Sequence, residues 1–450
     1  MALNPDEMNR RRERREAQRR QQEKERRRLK LTLIAACVVL ALSAFAIVSI
    51  ARGAAQAKQE TLSASVPEAE NTTAAPETTA ATESSKRSEP ANTVIHLRAA
   101  GDLNVTNAVI QSGLAVNGYD FTDALLDVAA ELSCGDVTVL NLEGNICGEP
   151  YGTDTTSAPR ELATALKNAG VDLVQMANTY TVKNGIIGLT QTLQQLRSAG
   201  IEPLGAYASN QDFKTTKGYT ICNVGGIKVA FVAFTKGLGG MGLPAGNENC
   251  VNLLYTDYND VYNKVDTKGI TAILDNVAAE KPDVTVAMLH WGSENSENIT
   301  TQQERIITLL QKKGVNVIIG SHPHLLQKIT FSQSAGTLVA YSLGDLLGDA
   351  THAGTNYSII LDVEITKYAD SGTTKVTAFS YVPIYTVKSS ECVAIRQEDA
   401  RRVFRIRDAM SAYEGNYVDR VTADAYAGMQ KALTRIEERI QGKSQETKKS

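Results

Sequence analysis

The sequence has few of the residues that most often bind metals, with five histidines and six cysteines among 450 residues. No two cysteines have Cys-x-x-Cys spacing, which argues against a metal site built from cysteine. Cys37 lies in an apolar run, and the other five are an odd number, so they cannot all pair within one chain in an oxidising compartment. Cys134 with Cys147 and Cys222 with Cys250 are candidate disulfides, and spacing alone decides neither.

The sequence also lacks an internal repeat, and it lacks excess positive charge outside its first 30 residues. Residues 1–30 contain 12 Lys and Arg against 6 Asp and Glu, whereas the rest contains 35 against 44, a net charge of −9. This negative remainder disfavours a broad surface for polyanions, and we expect no nucleic-acid partner. One small anion pocket stays compatible with the charge.

One long apolar run is present, at residues 31–50, with no charged residue inside it. Twenty helical residues span roughly 30 Å, the thickness of a bilayer core, so we predict one transmembrane helix. The basic segment 1–30 is then cytoplasmic, where it can contact anionic lipid, and the main domain is extracytoplasmic. The alternative is a cleaved signal peptide, because Ala55-Gln56-Ala57 resembles a cleavage site, but the long leader favours a retained anchor of the cell membrane.

The remaining chain divides by composition into three parts. Residues 51–92 are rich in Ala, Thr, Ser, Glu and Pro, and we predict a disordered stalk because they cannot bury enough apolar surface to fold. Residues 93–388 alternate between strand and helix patterns, which indicates an α/β sandwich. Within them, runs 219–224 and 227–234 around a Gly-Gly pair predict a β-hairpin. Residues 389–450 are predicted to be a charged helical segment.

Three of the five histidines lie at the ends of predicted strands. His290 follows the apolar run 284–289, and His322 and His324 follow the run 315–319. Ligands of open α/β sheets bind at the carboxyl ends of strands, and neutral imidazole is the commonest metal ligand. The histidines therefore predict a metal site if carboxylates converge on them. The alternative is two loop histidines and one histidine packed beside a tryptophan.

Two carboxylates follow the same rule, since Asp102 and Glu143 also come directly after apolar runs. Mixed nitrogen and oxygen ligands suit zinc, manganese or iron, and two such metals can clamp a phosphate. Alone, each carboxylate is a weak signal, because Asp102 could cap a turn and Glu143 could pair with an arginine. Their order with the histidine motifs is more specific.

In this order the motifs resemble the CapA family of bacterial poly-γ-glutamate capsule biosynthesis proteins. The motifs are Gly101-Asp102, Asn141-Leu142-Glu143, His290-Trp291-Gly292-Ser293-Glu294, Gly320-Ser321-His322-Pro323-His324 and Tyr341-Ser342-Leu343-Gly344. The resemblance implies a calcineurin-like metallophosphoesterase fold, a four-layer α/β/β/α sandwich, preceded by one transmembrane helix. It implies a divalent metal (Mn, Zn or Fe), and that Glu294 touches the substrate or lies behind the ligands. The implied ligands are Asp102, Glu143, His290, His322 and His324.

The third motif departs from the family pattern Ala-Asn-Asn-His. Here it reads Ala-Asn-Thr-Tyr, with Thr179 in place of a metal-binding Asn and Tyr180 in place of an acidic or phosphate-binding His. A Thr hydroxyl is a poorer ligand than an amide carbonyl, and Tyr, with an ordinary pKa near 10, is a weaker acid than His. Lys183 replaces an Asp, and it either supplies a charge where a metal is lost or points away. Asp345 replaces the Asn that ends the last motif.

Two functions fit this pattern. The first is a metal-dependent hydrolase or transferase of an envelope polymer or a phosphorylated precursor, in which Tyr180 donates a proton or hydrogen bond and Glu294 assists. The second is a catalytically inactive protein that binds the polymer, or other capsule synthesis or export proteins of the membrane. The third motif favours the second function. A solute-binding domain on a stalk is disfavoured by the order of the ligands.

Overall fold

A computed structural model describes residues 91–417 and 421–442 of the chain. The predicted cytoplasmic segment, the predicted transmembrane helix and nearly all of the predicted stalk lie outside these residues. Within them, no helix combines the length and the apolar character needed to cross a membrane.

The described residues form two large β-sheets with helices between many of the strands. The strands are β1 Thr93–Asn104, β2 Leu114–Ala115, β3 Gly118–Tyr119, β4 Val137–Glu143, β5 Leu173–Gln175, β6 Glu202–Leu204, β7 Thr220–Val224, β8 Ile227–Thr235, β9 Val284–His290, β10 Val317–Ser321, β11 Ile329–Ser332, β12 Thr337–Ala340, β13 Asp345–Leu347, β14 Tyr357–Lys367, β15 Thr374–Lys388 and β16 Arg401–Arg405. The α-helices are α1 Asn107–Ser112, α2 Thr122–Leu125, α3 Ala129–Ser133, α4 Glu161–Asn168, α5 Gly185–Ser198, α6 Asn210–Thr216, α7 Thr267–Ala279, α8 Thr301–Lys312, α9 Ile406–Glu414 and α10 Ala423–Ile440.

The first sheet has the order β16-β15-β14-β1-β4-β5-β6, and β13 also pairs with β1. Strands β1, β4, β5 and β6 run parallel, whereas β14, β15 and β16 are antiparallel neighbours. The register places Asp102 of β1 opposite Asn141 of β4 and opposite Asp345 of β13. Because the parallel strands share one direction, their polar last residues meet at a single edge of the sheet.

The second sheet has the order β11-β12-β10-β9-β8-β7, with β8, β9, β10 and β12 parallel. The predicted hairpin is confirmed, since β7 and β8 pair antiparallel around Gly225 and Gly226. Both glycines have positive φ, 54° and 88°, a conformation that glycine adopts without steric cost.

Alternate side chains of β8 enter two different apolar cores. Phe231 and Ala233 pack in the core shared with the first sheet, whereas Val232 and Phe234 pack with α7 and α8. A strand covered on both faces has a continuous apolar sequence. Periodicity alone therefore does not show which side chains of β8 face the other sheet and which face the helices. Helices also pack on the first sheet, with α10 on β14 and β15 and α5 on β6. The result is the predicted mixed α/β architecture, with helices outside two stacked sheets.

The C-terminal prediction requires a correction. Residues 389–450 were expected to be helical, but Arg401–Arg405 is a strand that extends the first sheet by pairing with β15. Arg402 is 8% exposed, and its Nε donates to Asp127 Oδ2 at 2.7 Å. Paired arginines at buried strand positions remove the apolar signal that predicts a strand. The apolar spacing of residues 121–132 predicts one helix, but these residues form two short helices, α2 and α3.

The five cysteines in the described residues are free thiols, so neither candidate disulfide forms. Cys250 and Cys392 are buried, and Cys134 is exposed. The fold of the described part therefore depends on packing and hydrogen bonding, without covalent links.

Two glycines in the histidine and aspartate motifs allow unusually close backbone approach. A Cβ on Gly101 would lie 1.8 Å from Gly344 O, and one on Gly320 would lie 1.9 Å from Tyr341 O. Any side chain at either position would force the backbone apart. The approach at Gly101 accompanies a hydrogen bond from Asp102 N to Gly344 O of 2.9 Å, which brings the start of β13 to Asp102.

Candidate metal centre

The five predicted ligands converge where both sheets present the ends of their parallel strands. Asp102 and Glu143 come from β1 and β4 of the first sheet, and His290 ends β9 of the second. His322 and His324 lie in the loop directly after β10. All five are buried, with at most 8% of any residue exposed. The sequence pattern of a polar residue directly after an apolar run therefore identified residues that lie together in one site. Metal binding by these residues stays a prediction.

The ligand atoms form two groups that share one carboxylate. Glu143, His290 and His322 form one group, and Asp102, Glu143 and His324 form the other. Within each group, one nitrogen or oxygen atom from every residue lies within 4.8 Å of the others. Each group could hold a divalent cation, and Glu143 would then contribute to both groups.

The loop after β10 has a strained backbone that orients its two imidazoles. His322 and His324 have φ values of 92° and 56°, in a region that residues with a Cβ rarely adopt. The backbone N–H of His322 donates to Asp102 Oδ2 at 3.1 Å, which connects this loop to the first sheet. The loop therefore holds a conformation that cross-sheet contacts stabilise.

A chain of amides fixes the other side of Asp102. Asn141 Nδ2 donates to Asp102 Oδ1 at 2.6 Å, and Asn178 Nδ2 donates to Asn141 Oδ1 at 3.3 Å and to Leu142 O at 2.6 Å. Asn178 is fully buried, and its own Oδ1 accepts from Tyr180 N at 3.0 Å. Asn178 is thus a structural amide, and it does not replace the missing ligand at position 179.

Three side-chain atoms of the predicted ligands are buried without a hydrogen-bond partner among the described residues. They are Glu143 Oε2, His290 Nδ1 and His322 Nδ1. A buried polar atom without a partner costs about 1–3 kcal/mol, so three together in one cluster call for a binding partner. A divalent cation that takes mixed nitrogen and oxygen ligands satisfies such atoms, and the residues present fit that group.

The charges of the cluster are shifted towards neutrality by burial. Burial raises the pKa of Glu143 to about 8 and that of Asp102 to about 6. Burial, together with neighbouring positive charges, lowers the pKa of His322 to about 3 and that of His290 well below its ordinary value. At neutral pH and without a cation, both imidazoles are deprotonated and able to act as ligands, whereas Glu143 holds a proton that a bound cation would displace.

His324 is the exception, and Asp345 explains it. Burial lowers the pKa of His324, but the negative charges of Asp345, Glu143 and Asp102 outweigh burial and raise it well above its ordinary value. Asp345 Oδ1 lies 2.7 Å from His324 Nδ1, which leaves Nε2 facing Glu143 Oε2 at 3.5 Å. A carboxylate behind a histidine commonly orients the ring towards a metal. The sequence showed Asp345 only as a departure from an Asn, and it did not predict this contact.

The departures of the third motif fall at the edge of the cluster. Thr179 approaches His290 Nε2 with its backbone N at 3.4 Å and its Oγ1 at 3.3 Å, so it lies directly beside one predicted ligand. Tyr180 is half-buried, and burial with the charges of Glu143 and Glu294 raises the pKa of its phenol above 10. Tyr180 is therefore neutral at physiological pH. Lys183 is exposed before α5 and does not take the place of a metal.

A cleft of about 310 Å³ opens beside the cluster. Glu294 lies in its wall and is exposed, while its contact with a substrate stays a prediction. Lys236 also lines the cleft, and sequence reasoning missed it. The signal was available, because Lys236 directly follows the apolar strand β8 in the same way that Glu143 and His290 end theirs. The other lining residues include Thr179, Gly237, Gly239, Tyr262, Ser293 and His322.

Comparison with known families identifies the family to which these motifs belong. Residues 96–350, more than half of the chain, match the model described as bacterial capsule synthesis protein PGA_cap. The chain belongs to this family. The predicted resemblance to CapA is confirmed by two curated relatives. The capsule biosynthesis protein CapA of Bacillus anthracis is 27% identical over 249 residues, covering 55% of this chain and 56% of that protein.

The second relative is the PGA biosynthesis protein CapA of Bacillus subtilis strain 168. It is 23% identical over 269 residues, covering 58% of this chain and 66% of that protein. The chain thus spans between half and two thirds of the length of these two curated relatives.

Solved structures similar to this chain include phosphoesterases. The calcineurin-like phosphoesterase YfkN of Bacillus subtilis is 17% identical, with a TM-score of 0.39, and the match covers 65% of this chain and 91% of that one. The 5'-nucleotidase of Candida albicans is 12% identical, with a TM-score of 0.38, and the match covers 64% of this chain and 50% of that one. At these values neither structure supports a conclusion about activity.

The raised pKa of Glu143 predicts how the stability of the metal-free protein depends on pH. Between its ordinary value of 4.5 and about 8, folding adds a proton at Glu143, so the free energy of unfolding should fall as pH rises. One proton contributes up to about 1.4 kcal/mol per pH unit. His324, whose pKa is raised, acts in the same direction, whereas His290 and His322 oppose it only below about pH 6.5. The decisive window is therefore pH 6.5 to 8.

Urea unfolding with a chelator at pH 6.5 and pH 8 measures this dependence. We expect Glu143→Gln to reduce the loss of stability across the window, because glutamine has no proton to release. The exposed Glu398 provides the control, and Glu398→Gln should keep the dependence of the unaltered protein. An undiminished loss in Glu143→Gln would show that the buried carboxylate is not protonated.

Proposed function

We propose that the chain is a membrane-anchored, extracytoplasmic CapA-like protein that acts on a capsule polymer or its precursor as a metal-dependent hydrolase or transferase. We also propose that its main domain is a calcineurin-like metallophosphoesterase sandwich. One observation carries it, namely the two buried ligand groups that share Glu143 beside an open cleft. A buried cluster with unpartnered ligand atoms is costly unless a cation completes it.

The residues have distinct roles in this proposal. Asp102, Glu143, His290, His322 and His324 would hold the cations, and Asp345 would orient His324. When bound, divalent cations supply Lewis acidity towards a phosphoryl or carbonyl oxygen. Tyr180 is neutral and donates a hydrogen bond rather than a proton, because its pKa is raised further from neutrality. Glu294 contacts the substrate from the wall of the cleft.

A second candidate function, polymer or partner binding without catalysis, is favoured by one specific observation. Thr179 and Tyr180 place a hydroxyl and a neutral phenol where the family resemblance implies an amide ligand and an imidazole. A centre with one weaker ligand and no acid near pH 7 retains cations more readily than it turns over substrate. The two functions predict the same metal binding and differ in turnover.

Metal binding tests the central part of the proposal. Full-length protein purified in detergent is incubated with manganese and desalted, and the bound metal is measured by mass spectrometry. We expect manganese to bind, and we expect His322→Ala to weaken binding by about 100-fold or more, because loss of a ligand exceeds the effect of losing a group behind it. The exposed His352 provides the control, and His352→Ala should bind like the unaltered protein. Absence of manganese and zinc from the unaltered protein would overturn the proposal.

The third motif separates the enzyme from the inactive protein. We expect the double change Thr179→Asn and Tyr180→His to raise phosphatase turnover of p-nitrophenyl phosphate at pH 7 by about 100-fold or more, because it supplies an amide ligand and an acid with a pKa near neutrality. Tyr180→Phe adds neither group and should give no increase. Turnover by the unaltered protein supports the enzyme, whereas turnover that appears only in the double variant supports the inactive protein. If the double variant has no turnover, the proposed hydrolytic chemistry is wrong.

The proposed location and partners rest on the sequence of residues 1–50 and on the names of the relatives. The B. subtilis relative is named a PGA biosynthesis protein, and we extend this polymer to the present chain, together with other capsule synthesis or export proteins in the membrane. If residues 31–50 anchor the chain with its N-terminus inside, protease added to intact protoplasts should digest the main domain. Protection of the main domain from the protease would instead show that it is cytoplasmic. Release of the domain into the soluble fraction without protease would favour the signal peptide instead.

A further inference from the structure

Lys236 places an ammonium group in the cleft beside the metal centre. Its backbone N–H donates to His290 O at 2.8 Å, so its position is tied to a predicted ligand. Its Nζ donates to Gly292 O at 2.7 Å and lies 4.6 Å from the centre of the Tyr262 ring. A lysine that packs on an aromatic ring and bonds to a main-chain carbonyl is held in place rather than free in solvent.

This ammonium has unused capacity to bind. An ammonium has three N–H donors, and among the described residues its hydrogen bond to Gly292 O engages one of them. Glu294 lies in the wall of the same cleft, but no ion pair joins it to Lys236 within 4.0 Å in the part of the chain that the structure describes. The positive charge at this edge is therefore not neutralised by a direct partner.

The surroundings favour an oxyanion as the group that Lys236 binds. Tyr180, at the position where the resemblance implies a phosphate-binding imidazole, is neutral and supplies no charge. Lys236 and His322 line the same cleft, so a group held by the ammonium lies next to a predicted metal ligand. A charge-assisted hydrogen bond from an ammonium to an anionic oxygen is among the stronger polar contacts in proteins.

We propose that Lys236 is a substrate-binding residue that holds an oxyanion, a phosphoryl or carboxylate group, against the metal centre, and that Glu294 opposes excess negative charge in the same cleft. This inference rests on the proposed function, because it needs the cleft to be a substrate site. The oxyanion has two possible sources, a phosphorylated precursor or the free carboxylates of the polymer. Both present an anionic oxygen to Lys236, and binding measurements distinguish them.

The experiment titrates full-length protein with inorganic phosphate and, separately, with a γ-linked glutamate oligomer, by calorimetry with and without manganese. We expect Lys236→Met to weaken binding of at least one probe by about tenfold or more, the loss of a charge-assisted hydrogen bond. Loss for phosphate alone identifies a phosphorylated precursor, and loss for the oligomer alone identifies the polymer. Glu294→Gln should instead tighten binding of the anionic probe, because it removes a negative charge from the cleft. If these side chains only maintained the shape of the cleft, neither change would tighten binding.

Lys228 provides a matched control on the same strand. It lies near the opposite end of β8, and its Nζ also donates to a main-chain carbonyl, that of Glu280. Lys228→Met should leave both affinities unchanged. Equal loss in both lysine variants, unchanged affinity in Lys236→Met, or failure of the unaltered protein to bind either probe would overturn the inference.

Manganese content, measured in parallel, keeps the two proposals separate. If the unaltered protein binds no manganese, the proposed metal chemistry fails. The titrations without manganese then still decide whether Lys236 binds the oxyanion. If manganese binds equally well to the Lys236→Met protein while probe affinity falls, the lysine acts on the anion and not through the metal ligands.

Discussion

The burial of three carboxylates where the two sheets meet is the interaction on which the rest of the site depends. Asp102, Glu143 and Asp345 lie at most 4% exposed, and the histidine they surround, His324, is positively charged because of them. Burial raises the pKa of all three carboxyl groups and outweighs the opposing charge of the His324 imidazolium, so that the pKa of Glu143 rises to about 8. A divalent cation would supply the positive charge that one imidazolium does not provide for three carboxylates.

Much of this site was predictable because its chemistry follows buried strands. Asp102, Glu143 and His290 lie at or near strand ends and stand out after apolar runs, and the parallel arrangement brings such ends together. Lys236 obeys the same rule and was overlooked because a single lysine after a strand resembles an ordinary surface residue. Asp345 was not predictable as a partner of His324, because it begins a short strand whose pairing with β1 depends on long-range backbone contacts.

The fold was predicted less well where polar residues are buried in pairs. Strand β16 contains buried arginines, one of which pairs with Asp127. The sequence of this strand therefore lacks the apolar periodicity that predicts a strand. The helix expected over 121–132 is interrupted between Leu125 and Ala129, although its apolar spacing is continuous. In both places, tertiary contacts override the local pattern. By contrast, the Gly-Gly hairpin was predicted correctly, since its signal is a steric property of the two residues themselves.

The close approach at Gly101 and Gly320 bears on how relatives of this chain are recognised. These glycines belong to the motifs that resemble the family, yet the reason for them is the absence of room for a Cβ against a neighbouring carbonyl. The backbone geometry requires glycine at these positions, whatever the neighbouring histidines and carboxylates do. A descendant that loses turnover keeps them for as long as it keeps the fold. Part of the family signature therefore reflects backbone architecture, and membership of the family does not by itself establish turnover.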